Sequence, residues 1–328
     1  MSRPGDGLDA LRSMAALAVV CLHAAAFVLG DTRQSAGAAW WAANLLDSAM
    51  RWCVPVFVMI SGALLLGREE PPGAFLRRRL LRLLPLLLVW STAYLGLRAL
   101  TEPGWRAADA LPALLRGTPY YHLWYLFMLP GLCLFMPLLQ RLLRAASPRR
   151  QNLVMLAALV CMLAAWLLPP APSAFLRAPA FLAACVGGFL LHQAAASGSW
   201  PARIPAVLLW VVYLASSVSI AFAACALPAV FGQSGQALAY DYANPLVLLQ
   251  AGAIFLLGLR MPVGVLLRLA PLSLGVYLLH PAVLLWLHQW PGLNGAAAML
   301  PVALMTFAAS AMLTMLLLAL PGSGRWLR

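Results

Sequence analysis

Arg12 and His23 stand eleven positions apart in the first long apolar segment, Leu8 to Gly30. On a helix, eleven steps of about 100° bring two side chains back to within roughly 20° of each other, so they share a face. At about 1.5 Å per step they are roughly 16 Å apart along the axis. Ionisable groups are costly inside a bilayer, so two on one stripe of a spanning helix point to a working site. A cation near one membrane face, with an imidazole about one pantetheine arm deeper, suits acyl coenzyme A. His23 then reads as a general base that takes a proton from an acceptor hydroxyl as it attacks a thioester. A covalent acyl-histidine is an open alternative. The plain alternatives are a histidine hydrogen-bonded between helices and a boundary arginine paired with Asp9.

A second stripe lies in the next apolar segment. Asn44, Asp47, Ser48 and Arg51 fall within about 100° of one another around a helix. Asp47 and Arg51, four apart, can pair inside the membrane. Asp47 or Asn44 is expected to orient His23 and stabilise its charged form, and a purely structural ion pair explains the same residues. Ser61 and Gly62 near the inner end of this segment allow close helix packing or the passage of a thin ligand arm. Arg77, Arg78, Arg79 and Arg82 precede the third segment. Arg79 and Arg82 share a helix face, and forked guanidiniums suit phosphate. His122 and Tyr125 open the fourth segment as interface aromatics or as a sugar platform. In the ninth, Ser273, Tyr277 and His280 share a stripe within about 60°, which either packs or lines the site. No histidine has metal-ligand spacing with another His, Cys or acid, so no metal site is expected.

The elements that must hold these residues are membrane helices. The 328-residue chain is 63% hydrophobic and 9% charged, with a mean hydropathy of +0.87. A soluble domain could not cover that much apolar surface. Apolar runs of about 20 residues, the length that crosses hydrocarbon as a helix, recur along the whole chain. The sequence therefore predicts an all-α, polytopic integral membrane protein with about ten transmembrane helices. Their approximate limits are 8–30, 41–66, 80–100, 122–143, 153–169, 179–195, 204–226, 244–259, 269–288 and 296–320. The fifth, sixth and eighth are short enough to be half-spans.

The pI near 10.4 does not signal a nucleic-acid partner. Every basic residue is an arginine, and most lie in short connections, the signature of membrane topology. Arg3, Arg68, the Arg77–Arg82 cluster, Arg141, Arg144, Arg149, Arg150, Arg203, Arg260, Arg268, Arg325 and Arg328 fall on one side. Arg33, Arg98, Arg106, Arg116 and Arg177 fall on the other. That asymmetry puts both termini in the cytoplasm. The first segment is read as a retained helix rather than a signal peptide, because many further spans follow it. The six cysteines are scattered singly through apolar runs, without ligand spacing or a disulfide framework.

These residues, in this order, resemble a known family. Leu8-Asp9-Ala10-Leu11-Arg12 runs ten residues on to His23, an R-x10-H element. Asn44 to Arg51 follows, then Val54-Pro55-Val56-Phe57-Val58-Met59-Ile60-Ser61-Gly62, then the R-x-x-R element Arg79 to Arg82. Tyr121-His122-Leu123-Trp124-Tyr125 and Ser273 to His280 complete the set. The chain resembles the membrane acyltransferase-3 family, and within it the stand-alone O-acetyltransferases of the kind that modifies enterobacterial common antigen.

The resemblance implies an acyltransferase-3 transmembrane domain over 7–320 and a short cytoplasmic tail over 321–328. It implies that His23 is the catalytic histidine with Arg12 its motif partner, and that Arg79 and Arg82 grip the phosphates of acyl coenzyme A. The donor, acetyl coenzyme A or another acyl-CoA, is a substrate, with no permanently bound cofactor. The acyl group goes to a hydroxyl of a cell-envelope glycan at the bacterial inner membrane. Where many members carry two phenylalanines before Ser-Gly, this chain has Phe57 and Val58. It also lacks the esterase-like domain of some members, so acceptor selectivity is expected from the spans and from the loops Thr101 to Tyr121 and Leu227 to Ala243. The rival from another class is a transporter or flippase of envelope glycans, which also places ionisable groups on helix faces.

Overall fold

The computed structural model describes residues 6–31, 37–261 and 264–321. Arg3, Arg33, Arg325 and Arg328, and positions 322–328 of the expected tail, lie outside the described residues. The structure is 82% helical, without a strand among the described residues. Ten helical segments are long and apolar enough to cross a membrane.

In chain order the helices are α1 (Asp6–Asp31), α2 (Ala38–Met50), α3 (Cys53–Leu65), α4 (Pro72–Thr101) and α5 (Ala110–Arg116). They continue with α6 (Trp124–Leu143), α7 (Pro148–Leu167), α8 (Leu182–Ser197), α9 (Ala206–Ala226) and α10 (Pro228–Phe231). The chain ends with α11 (Gln233–Tyr240), α12 (Pro245–Leu259), α13 (Val265–Leu269), α14 (Ser273–Leu287) and α15 (Met299–Leu318).

Three departures from the sequence expectations have physical causes. The second span is two helices, α2 and α3, separated by a turn at Arg51 and Trp52. Pro55 has no N–H to return to the Arg51 carbonyl, so the ladder lapses there and resumes with Val56 N donating to Trp52 O at 3.0 Å. The third span starts at Pro72, well before the apolar run. Proline suits a first helical turn, and arginines are good helix formers, so the charged stretch is helical though not hydrophobic. The fifth, sixth and eighth spans are not half-spans. They run 20, 23 and 26 residues, the sixth and eighth gaining length from the 3-10 turn Phe175–Phe181 and from α11. The Leu227 to Ala243 loop is accordingly helical in large part, as α10 and α11.

The chain divides into two compact units. The first comprises residues 1–63 and 187–328. Its centre is α1, which packs against α2, α12, α13, α14 and α15; two thirds of its span is buried. Val20, Cys21 and Ala24 of α1 meet Val276 and Leu284 of α14 and Val302, Ala303 and Ala311 of α15 in one apolar cluster. α14 and α15 approach closely because Gly275 has no side chain. A Cβ there would lie 2.2 Å from Thr314 Cγ2. α9 packs on α2, α11 and α12.

The second unit is residues 64–186. α4 packs on α6, and α6 and α7 both pack on the Phe175–Phe181 turn. Gln140 Nε2 donates to Leu65 O at 2.9 Å. Only 11% of the α7 span is buried. Its leucines Leu153, Leu156, Leu163 and Leu167 are exposed, as lipid-facing residues should be.

Candidate active site

α1 is one uninterrupted helix, so Arg12 and His23 keep the shared face that their spacing implies. Arg12 Nη1 donates to Asp9 Oδ1 at 2.8 Å, near the start of that helix. His23 is half-buried. The ring against it is that of His280 on α14, with centroids 5.2 Å apart and planes 18° from parallel. Tyr277, one turn back on α14, holds its ring 6.2 Å from His280. His280 is completely buried, and its Nδ1 lies 3.1 Å from Val276 O.

The α2 stripe converges on the same unit. Arg51 Nε donates to Asp47 Oδ1 at 2.6 Å, and Arg51 Nη2 pairs with the same carboxylate. Arg51 also donates from Nη1 to Tyr240 O at 2.8 Å, and its guanidinium lies 4.3 Å over the Tyr240 ring. Tyr240 Oη donates to Asn44 Oδ1 at 2.5 Å, and Asn44 Nδ2 donates to Ala221 O at 2.9 Å. Asn44 and Asp47 are wholly buried, and Arg51 keeps a small accessible fraction.

Arg51 is close enough to interact electrostatically with His23. Asp47 therefore reaches the neighbourhood of His23 by way of Arg51, which it holds. Asp47 Oδ2 has no hydrogen-bond partner among the described residues. A fully buried carboxylate oxygen in that state calls for a donor.

The α2–α3 break is closed by the protein itself. Gln250 Nε2 donates to Ser48 O at 2.9 Å and to Ser217 Oγ at 2.6 Å, and Tyr213 Oη donates to Ala49 O at 3.1 Å. Ser61 is half-buried and donates to Phe57 O, one turn back, at 3.0 Å. Close backbone approach just before Ser61-Gly62 is supplied by Gly188 of α8. A Cβ there would lie 2.2 Å from Met59 O.

Within the second unit, Arg79 and Arg82 are both on α4. Arg79 is half-buried, with its guanidinium 5.5 Å from the Phe75 ring centre, and its Nε has no partner among the described residues. Arg82 is exposed. Arg78 is tied to Glu70 at 2.6 Å, and Arg144 to Glu69 at 2.5 Å. His122 is buried among the rings of Tyr94, Tyr120 and Tyr121, at 4.7, 5.9 and 5.7 Å. Burial also pushes the Tyr120 phenol above its ordinary pKa, with Glu102 adding to the shift. Tyr125 is half-buried beside Trp124.

Residues 6–321 match the family model described as an acyltransferase domain, Acyl_transf_3. The chain belongs to the acyltransferase-3 family. It is thus a multi-pass membrane acyltransferase. No curated protein and no solved structure matches it.

For this acyltransferase the structure draws His23, His280, Tyr277, Asn44, Asp47 and Arg51 into one unit, and Arg79, Arg82, His122 and Tyr125 into the other. Sequence reasoning missed Tyr240 and Gln250. Gln250 carried a signal, as a lone amide within the apolar run 244–259, where a polar side chain needs a partner. Tyr240 carried none, because nothing local marks the phenol that closes on Asn44.

Proposed function

We propose that this acyltransferase is an O-acyltransferase of the bacterial inner membrane, with both termini in the cytoplasm. In this reading it moves an acyl group, most simply acetyl, from acyl coenzyme A to a hydroxyl of a cell-envelope polysaccharide or its lipid-linked precursor. The observation that carries it is the setting of His23. Its imidazole sits about two thirds of the way along a central helix, nearly parallel to a buried His280 ring and within electrostatic reach of Arg51, on the face that also bears Arg12.

In this reading Arg79 and Arg82 hold the phosphates of the donor, and Ser61 contacts its pantetheine arm. His23 accepts the proton of the acceptor hydroxyl as its oxygen attacks the thioester carbon. The carbon–sulfur bond then breaks, and the imidazolium returns the proton to the coenzyme A sulfur. Asp47, through Arg51, and Asn44 shape the polar wall where the acceptor hydroxyl enters. Tyr277 and His280, in the unit that holds His23, are the acceptor contacts in this reading.

One observation speaks for the rival transporter: the broken second span, since discontinuous helices line ion and substrate sites in transporters. Here the carbonyls of Ser48 and Ala49 beside the break accept from Gln250 and Tyr213, so the protein's own side chains occupy that backbone.

The test uses purified full-length protein and radiolabelled acetyl coenzyme A. Label transfer or thioester hydrolysis is expected, and His23→Ala should remove it, a loss of at least about 100-fold, while the melting temperature holds. Turnover that persists in His23→Ala would overturn the catalytic assignment. Arg79→Ala with Arg82→Ala should weaken donor binding about tenfold or more, and an unchanged affinity removes the phosphate grip.

A further inference from the structure

His280 is followed directly by Pro281 inside α14. Proline has no N–H, so the Tyr277 carbonyl, four residues back, loses its helical donor. The Nδ1 of His280 lies 3.1 Å from Val276 O, one residue before the freed carbonyl, and the ring also interacts with the Tyr277 backbone. A carbonyl oxygen only accepts, so Nδ1 must carry the hydrogen, and in the neutral ring Nε2 is then bare. The ring so fixed is wholly buried and lies parallel to that of His23.

We propose that the His280-Pro281 pair is a positioning device: proline frees a carbonyl, the carbonyls lock His280 as the Nδ1–H tautomer, and the locked ring is the plate that holds His23 in its working orientation. Two facts favour a plate over a second acid or base. The rings meet face to face rather than edge to edge, and Nδ1 of His280 is spent on its own backbone. A base misplaced by about 1 Å can lose about 100-fold in rate, so a rigid neighbour that fixes the imidazole is worth that much. This role rests on the reading of His23 as the catalytic base, but the tautomer lock itself does not.

The experiment has two arms, both on full-length protein in lipid nanodiscs. In the first, the five histidines are labelled with ¹⁵N in the ring, and the His280 signals are found by their loss in His280→Phe. A protonated Nδ1 and bare Nε2 are expected, moving toward mixed tautomers in Pro281→Ala, which returns an N–H to the Tyr277 carbonyl. A protonated Nε2 in the native protein, or no change in Pro281→Ala, overturns the lock. The second arm measures acetyl coenzyme A hydrolysis. His280→Ala should lower kcat about 100-fold with KM within about twofold, while His280→Phe, which keeps a flat ring, should recover at least about tenfold of that loss. Equal losses in the two variants overturn the plate, and gel filtration with thermal melting shows which variants fold. If native protein turns over no acetyl coenzyme A, the enzymatic reading fails while the first arm still decides the lock.

Discussion

His23 draws its setting from residues distant in sequence. His280 supplies the parallel ring, and Arg51 supplies a nearby charge that Asp47 holds in place. The Asp47–Arg51 pair is buried, so removing one member strands the other. Asp47→Ala should lower stability by about 3–5 kcal/mol. The double replacement Asp47→Leu with Arg51→Met should recover most of that loss, because burying no charge costs less than burying one unpaired. Thermal unfolding of the purified variants checks both. A double variant as unstable as Asp47→Ala would mean that the loss comes from packing rather than charge. The pair was legible from its i, i+4 spacing. The ring facing His23 was not, since Asp47 was the expected neighbour and His280 lies more than 250 positions away.

At the scale of elements, close helix approach rests on single glycines. Gly188 on α8 has the Met59 backbone where a Cβ would go, at 2.2 Å from the carbonyl oxygen. Gly188→Ala forces α8 and α3 apart and should cost about 1–3 kcal/mol. Gly252 on α12 meets nothing nearer than Leu191 Cδ1 at 4.0 Å. Gly252→Ala should therefore be neutral, or stabilising by up to about 1 kcal/mol from helix propensity. Melting temperatures of the two variants in the same detergent separate them, and similar shifts would show that neither contact governs stability. Hydropathy located these helices because each needed about 20 apolar residues. It could not place the α2–α3 turn or the early start of α4. Those depend on one missing N–H at Pro55 and on arginines that are helical without being apolar.

At the scale of the molecule, arginine asymmetry is the argument for orientation. A fluorescent reporter fused after Arg328 should mature inside the cell, and a phosphatase fused there should stay silent. The same phosphatase inserted within 101–121, the connection that contains α5 and that the arginine asymmetry puts outside, should be active. The opposite pattern would invert the membrane and move the Arg79–Arg82 cluster away from cytosolic coenzyme A.

Sequence alone determined the membrane, the ten spans, the family and the Arg12–His23 ridge. Each depends on composition or on spacing within one continuous helix, and hydrocarbon enforces both because it leaves the backbone no other partner. Only the tertiary structure decided that His280 lies on His23, that Tyr240 closes on Asn44, and that Gln250 and Tyr213 seal the broken span. These contacts join side chains on different helices. Their partners are set by how the helices rotate and pack, which no period within a single helix encodes.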